Sequence, residues 1–272
     1  MAAKQGFGQA FSAEMRRVVL KPRRLVMASV FAIAGILLFA GMTAALDWGS
    51  SAAASGELEG VEPFEAIPAF IGFDIPLSLV SFCFGVYAAA FSARDYNDGT
   101  IMATLLLVPG RARLFLGRML PWVLLTAVFS LVAFAVIAAI GMGTAGAGEA
   151  TAIALQGILA TVASVFTAIV GFCCGTVTKK GSLSVFLFLA LFFLIPSVVG
   201  MAAGFGPDVM QAVVKGVNSA LPGNAFPALL SIASPDKATS DTWIALGVSV
   251  AWAVGAPAVS YALFKARATL GR

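Results

Sequence analysis

Between Arg94 and Arg113 the chain reads Arg-Asp-Tyr-Asn-Asp-Gly-Thr-Ile-Met-Ala-Thr-Leu-Leu-Leu-Val-Pro-Gly-Arg-Ala-Arg, an apolar segment bracketed by charge. Gly99 permits a backbone break, Asp98 or Thr100 can cap the helix that follows, and Pro109 with Gly110 stops it. The product is a helix of about two turns, Ile101 to Val108. Such a segment docks rather than makes bonds. It can lie flat among lipid headgroups or insert into a groove on a soluble partner, and residue types leave both readings open.

Covalent chemistry finds little to work with elsewhere. The chain has no histidine, which removes Ser-His catalysis, His-ligated haem and His-containing zinc sites together. Cys83, Cys173 and Cys174 all lie in apolar stretches, where a thiol behaves as a small hydrophobe, so no metal site is expected. No Gly-x-x-x-x-Gly-Lys-Ser/Thr phosphate loop occurs, and no carboxylate falls near the middle of an apolar stretch. The chain is therefore read as non-catalytic, with no cofactor of its own.

The elements that carry the charged segment must be membrane helices. Hydrophobic residues make up 60% of the 272 and charged ones 11%, whereas a soluble domain carries about 25% charged residues. Stretches such as Val26 to Leu46 and Met119 to Met142 hold no charge and are long enough to cross a hydrocarbon core of about 30 Å. Spanning helices are expected at 25–46, 75–93, 119–142, 152–177, 183–203 and 243–264. Before them, Phe7, Phe11, Met15 and Val18 recur at helical spacing, which predicts an interfacial helix over 7–22 that turns at Lys21-Pro22-Arg23-Arg24. The start, Met1 to Ala10, lacks the pattern of a secretory signal, so the N-terminus is expected to be retained.

Charge then sets the orientation. With six spans, 15 of the 17 lysines and arginines fall on one side, the exceptions being Lys215 and Lys237, while only Glu14, Asp95 and Asp98 of the 13 acidic residues share it. Cytoplasmic loops are enriched in Lys and Arg, so both termini are expected in the cytoplasm. The net charge of +4 does not suggest nucleic acid, because the basic residues flank apolar spans instead of forming a face on a soluble domain. Arg94, Asp95, Lys179 and Lys180 fall at span ends, where charges can reach water or headgroups.

On the other side, Asp47 to Asp74 is acidic and has no Lys or Arg. The segment 204–241 contains two moderately apolar stretches, Val209 to Val217 and Ala225 to Ile232, broken by Gly204, Gly206, Pro207, Gly216, Pro222, Gly223, Pro227 and Pro235. Neither is long enough to span, and irregular backbone at membrane depth needs protein or a watery cavity around it. The segment reads as two short re-entrant helices. The overall expectation is a single all-α transmembrane domain over 1–272.

The loop after the second span resembles that of permease subunits of the type-2 ABC exporter (ABC-2) family: an acidic residue, three residues, Gly-Thr, an apolar helix, Pro, then basic residues. Here that pattern is carried by Asp95, Gly99, Thr100, Leu105 to Leu107, Pro109, Arg111 and Arg118. Asp95 stands where glutamate is usual, and the spacing from Pro109 to the arginines is about one residue short. The interfacial helix, six spans and broken segment before the last span extend the resemblance over nearly the whole chain.

The resemblance implies that residues 98–113 form a coupling helix region seated on a separate ATPase, involving Asp95, Asp98, Gly99, Thr100, Leu105, Leu106, Pro109, Arg111 and Arg113. It implies a second contact at Thr178-Lys-Lys-Gly-Ser182, through Lys179 and Lys180. Two such permeases, identical or similar, pair above two ATPase subunits that bind ATP and Mg, in a bacterial cytoplasmic membrane. The cargo is expected to be an amphipathic or apolar drug, lipid or antimicrobial peptide, with Phe82, Phe84, Tyr87, Phe188 and Phe192 as candidate wall residues. Two other classes compete: a non-transporting immunity or sensor subunit, and a secondary transporter, although no internal repeat or midplane charge supports the latter.

Overall fold

A computed structural model describes residues 7–19, 69–99, 101, 104, 110–144, 150–202, 208–225 and 240–269, together with residues 30, 34, 37 and 41. The described elements are helical: α1 (Phe7–Val19), α2 (Ala69–Asn97), α3 (Arg111–Thr144), α4 (Ala150–Thr178), α5 (Gly181–Leu189), a π-helical turn (Ala190–Leu194), α6 (Ile195–Ala202), α7 (Asp208–Ser219) and α8 (Ser240–Thr269). Among the described residues, four stretches are long and apolar enough to cross a membrane: Arg111–Val136, Gly157–Thr178, Gly181–Ala202 and Trp243–Ala266. The expected span 75–93 lies inside the 29-residue α2. Most of the expected span 25–46, the acidic loop 47–68 and the stretch 226–239 lie outside the described residues.

The helix α2 packs most extensively on α4, which in turn carries α3, α5 and α8 around it. In lipid, apolar side chains gain little by meeting one another, so helices associate where small residues let backbones approach. Gly171 and Gly175, one turn apart on α4, provide that surface. A Cβ at Gly171 would overlap the Gly85 carbonyl of α2, and one at Gly175 would meet the Ala89 carbonyl and the Ser92 hydroxyl. Short polar bonds then pin the crossing. Ser92 Oγ donates to the Phe172 carbonyl at 2.9 Å, Ser81 and Ser164 share a hydrogen bond of 2.6 Å, and Ser184 Oγ of α5 donates to the Ala89 carbonyl at 3.0 Å.

The hand-off from α5 to α6 has a covalent cause. Pro196 has no N–H to offer the Phe192 carbonyl four residues earlier, and its ring crowds that carbonyl. The chain responds by widening one turn, so that the Ile195 N–H donates to Ala190 five residues back. Gly223, in the short helical segment after α7, packs against the Phe192 carbonyl, where a Cβ would overlap it. Trp252 of α8 anchors the same region, its Nε1 donating to the Ala220 carbonyl at 2.9 Å.

Gly223→Ala is therefore expected to lift residues 221–225 off the π turn, at about the 1–3 kcal/mol typical of overpacking. Ala225 is buried in the parent protein. A cysteine placed there should resist a membrane-impermeant maleimide until Gly223→Ala is added, and equal protection in both backgrounds would refute the contact.

Candidate functional site: the joint at the basic end of the bundle

The ends of α2, α4 and α8 and the beginnings of α3 and α5 meet at one end of the bundle, and the charged segment 94–113 starts and finishes there. At the close of α2, Asp98 N–H donates to the Arg94 carbonyl at 2.9 Å, and Gly99 takes φ +66°, a conformation glycine adopts without strain. Arg94 and Asp98 form an exposed ion pair at 3.3 Å, of a kind that contributes only a few tenths of a kcal/mol. Beyond the break, Ile101 and Thr104 are helical, with Thr104 Oγ1 donating to the Ile101 carbonyl at 2.9 Å. Ile101 is buried against Leu114 of α3 and Phe264 of α8, with Tyr96 and Tyr261 alongside. Thr100, Leu105, Leu106 and Pro109 lie outside the described residues.

The sequence reading placed Asp95 at a span end with access to water, and here the structure corrects it. Asp95 is 2% exposed and Arg118 6%, and the two form a buried ion pair linking α2 to α3. The reason is tertiary: α3 begins at Arg111, eight residues before the expected span start at Met119, and its added turns carry Arg118 alongside the end of α2. The last charge before an apolar run marked the edge of the hydrocarbon, not the end of the helix. Arg111 and Arg113, expected in the loop, consequently lie in the first turn of α3, whose Leu114 N–H donates to the Gly110 carbonyl at 3.0 Å. Arg111 also reaches across to α8, donating to the Lys265 carbonyl at 3.2 Å.

The second expected contact, the turn at 178–182, arrives at the same place. Lys179 adopts φ +60°, unusual for a residue with a side chain, and its N–H donates to the Gly175 carbonyl at 3.0 Å. Lys180 is extended and its carbonyl receives the Ser184 N–H at 2.9 Å, so α5 begins at once. The Lys179 ammonium lies 5.7 Å from the centre of the Tyr96 ring, and the Arg118 guanidinium lies 5.9 Å from it. Tyr96, Tyr261 and Phe264 hold the joint together, yet sequence reasoning did not single them out. Only Tyr96 left a signal, as the aromatic inside the charged run.

The five candidate wall aromatics separate into two groups on different sides of α2. Phe82, Phe188 and Phe192 stack together between α2 and the α5–π segment, with ring centres 4.5 to 6.5 Å apart. Phe84 instead packs on Phe129 and Tyr87 on Trp122, both of α3. They do not form one continuous wall within the described chain.

The described residues form a helical bundle with four membrane-length stretches, which defines a multi-pass membrane protein. The chain belongs to the ABC-2 family of transporter proteins, whose family model matches residues 11–268. Members are membrane subunits of ABC transporters, generally non-catalytic and served by an ATPase partner. No curated protein matches the chain.

Proposed function

We propose that this chain is the permease subunit of an ABC exporter, that it crosses the membrane six times with both termini in the cytoplasm, and that two copies, or one copy and a similar subunit, pair above two ATPase subunits. ATP and Mg bind on those ATPases. The observation that carries the reading is the joint itself: Ile101, at the head of the apolar segment, is clamped between Leu114 and Phe264 while Asp95 is bolted to Arg118. A push on residues 98–110 therefore reaches α2, α3 and α8 together instead of being absorbed by a loose loop. Leu105 and Leu106 seat the segment on the ATPase, and Lys179 and Lys180 form the neighbouring contact. The basic end of the bundle is its cytoplasmic end.

As the ATPase pair closes on ATP, the segment transmits the motion and the spans rock, releasing an amphipathic or apolar cargo outward. Phe82, Phe188 and Phe192, next to the exposed Phe193, are the path residues on this reading, and Phe84 and Tyr87 support them from behind α2. The test is to purify the protein from its native membrane in mild detergent and assay for a stoichiometric ATPase. Leu105→Asp with Leu106→Asp is expected to abolish that co-purification while leaving the permease folded. If no ATPase accompanies the unmodified protein under any gentle condition, the reading fails.

A further inference from the structure

The helix α8 lies along α4 but stands off from α5 and the π turn, and the gap is a cavity of about 460 Å³. Its wall includes Cys174 and Val177 of α4, Leu187 and Leu191 from the α5–π segment, and Trp252 and Val259 of α8. Polar groups in and beside its wall are engaged, except Ser249, which is fully buried next to Val248. Trp252 Nε1 is bonded to the Ala220 carbonyl, and Thr176 and Ser260 are hydrogen-bonded to each other. Nothing in this wall can compensate a polar ligand for losing its hydration.

We infer that the cavity binds an acyl chain of a membrane lipid, which completes the packing between α8 and the π turn. Three observations carry this. The walls belong to helices of membrane length, so the surrounding solvent is hydrocarbon. The cavity opens sideways past Val259, which is 60% exposed, and so communicates with the bilayer. The lining atoms of an apolar recess of this size gain dispersion contacts when a hydrocarbon chain lies against them. A volume of about 460 Å³ would hold only about one turn of a helix from a second copy, roughly 10 Å across with its side chains, whereas a single hydrocarbon chain fits it. The site depends on neither the ATPase nor the direction of transport.

The test reconstitutes the full-length protein in phosphatidylcholine vesicles whose acyl chains carry a mid-chain diazirine, followed by illumination and mass-spectrometric mapping. Lipid adducts are expected on Cys174 and Leu191 inside the cavity, and on Val132, an exposed residue of α3 that serves as the bilayer control. A Cβ at Gly255 meets no atom within 4 Å, so Gly255→Phe fills the cavity without a backbone clash. It should reduce labelling of Cys174 and Leu191 to the unilluminated background and leave Val132 unchanged, and Ala251→Phe, from another point on the wall, should do the same. Labelling of Val132 alone in the unmodified protein overturns the proposal. So does cavity labelling that both fillers leave intact.

Discussion

Arg118→Leu is expected to destabilise the folded chain by about 3–5 kcal/mol, the usual result of removing one partner from a buried ion pair. Asp95, 2% exposed, then loses its guanidinium partner at a place that bulk water does not reach. The arginine also lies over Tyr96, so the ring loses a cationic neighbour. The diagnostic comparison is the double variant Asp95→Leu with Arg118→Met. Burying two apolar groups in place of a matched pair is often neutral, so most of the stability should return. Unfolding of the detergent-solubilised protein, followed by circular dichroism against denaturant, measures both steps. A single variant as stable as the parent would mean that water reaches the pair. A double variant that folds but no longer couples ATP hydrolysis to transport would show that the ion pair orients the joint as well as stabilising it.

The second large effect is expected at the α2–α4 crossing. Gly171→Ala places a methyl group against the Gly85 carbonyl, and Gly175→Ala places one against the Ala89 carbonyl and Ser92 Oγ. Backbone cannot rotate away as a side chain does, so the helices must separate, at about 1–3 kcal/mol for either change. Separation also stretches the 2.9 Å bond from Ser92 to the Phe172 carbonyl. The two costs should not add, because the glycines share one interface and the first methyl already parts the helices. Gly247→Ala on α8 is the control: a Cβ there meets nothing within 4 Å, and replacing a helical glycine gains about 0.5–1 kcal/mol. If Gly171→Ala and Gly247→Ala shift the unfolding midpoint in the same direction, the close crossing is refuted.

Much of this was written in the order of residue types. The hydropathy of runs such as 119–142 and 152–177 reports directly on solvent, since only a helix satisfies its own backbone in lipid, and those runs became α3 and α4. The charge-bracketed segment after α2, with Gly99 and Pro109-Gly110 as punctuation, was legible because turn chemistry is local, and Gly99 does take the left-handed conformation. Together these residues pointed to the family that the match over 11–268 establishes. Other features depend on residues far apart in the chain, which no local signal joins. The partners Asp95 and Arg118 are 23 positions apart, and their pairing required α3 to start eight residues ahead of its hydrophobic run. Tyr96 gains Lys179 as a neighbour only because α4 returns beside α2, an approach that Gly171 and Gly175 permit. The division of the five aromatics between two sides of α2, and the cavity left where α8 stands off from the π turn, likewise follow from which helices touch. Solvent preference and turn chemistry act residue by residue, so the sequence alone determined membrane helices such as α3 and α4 and the break at Gly99; burial and pairing are properties of the packed bundle, so only the tertiary structure decided them.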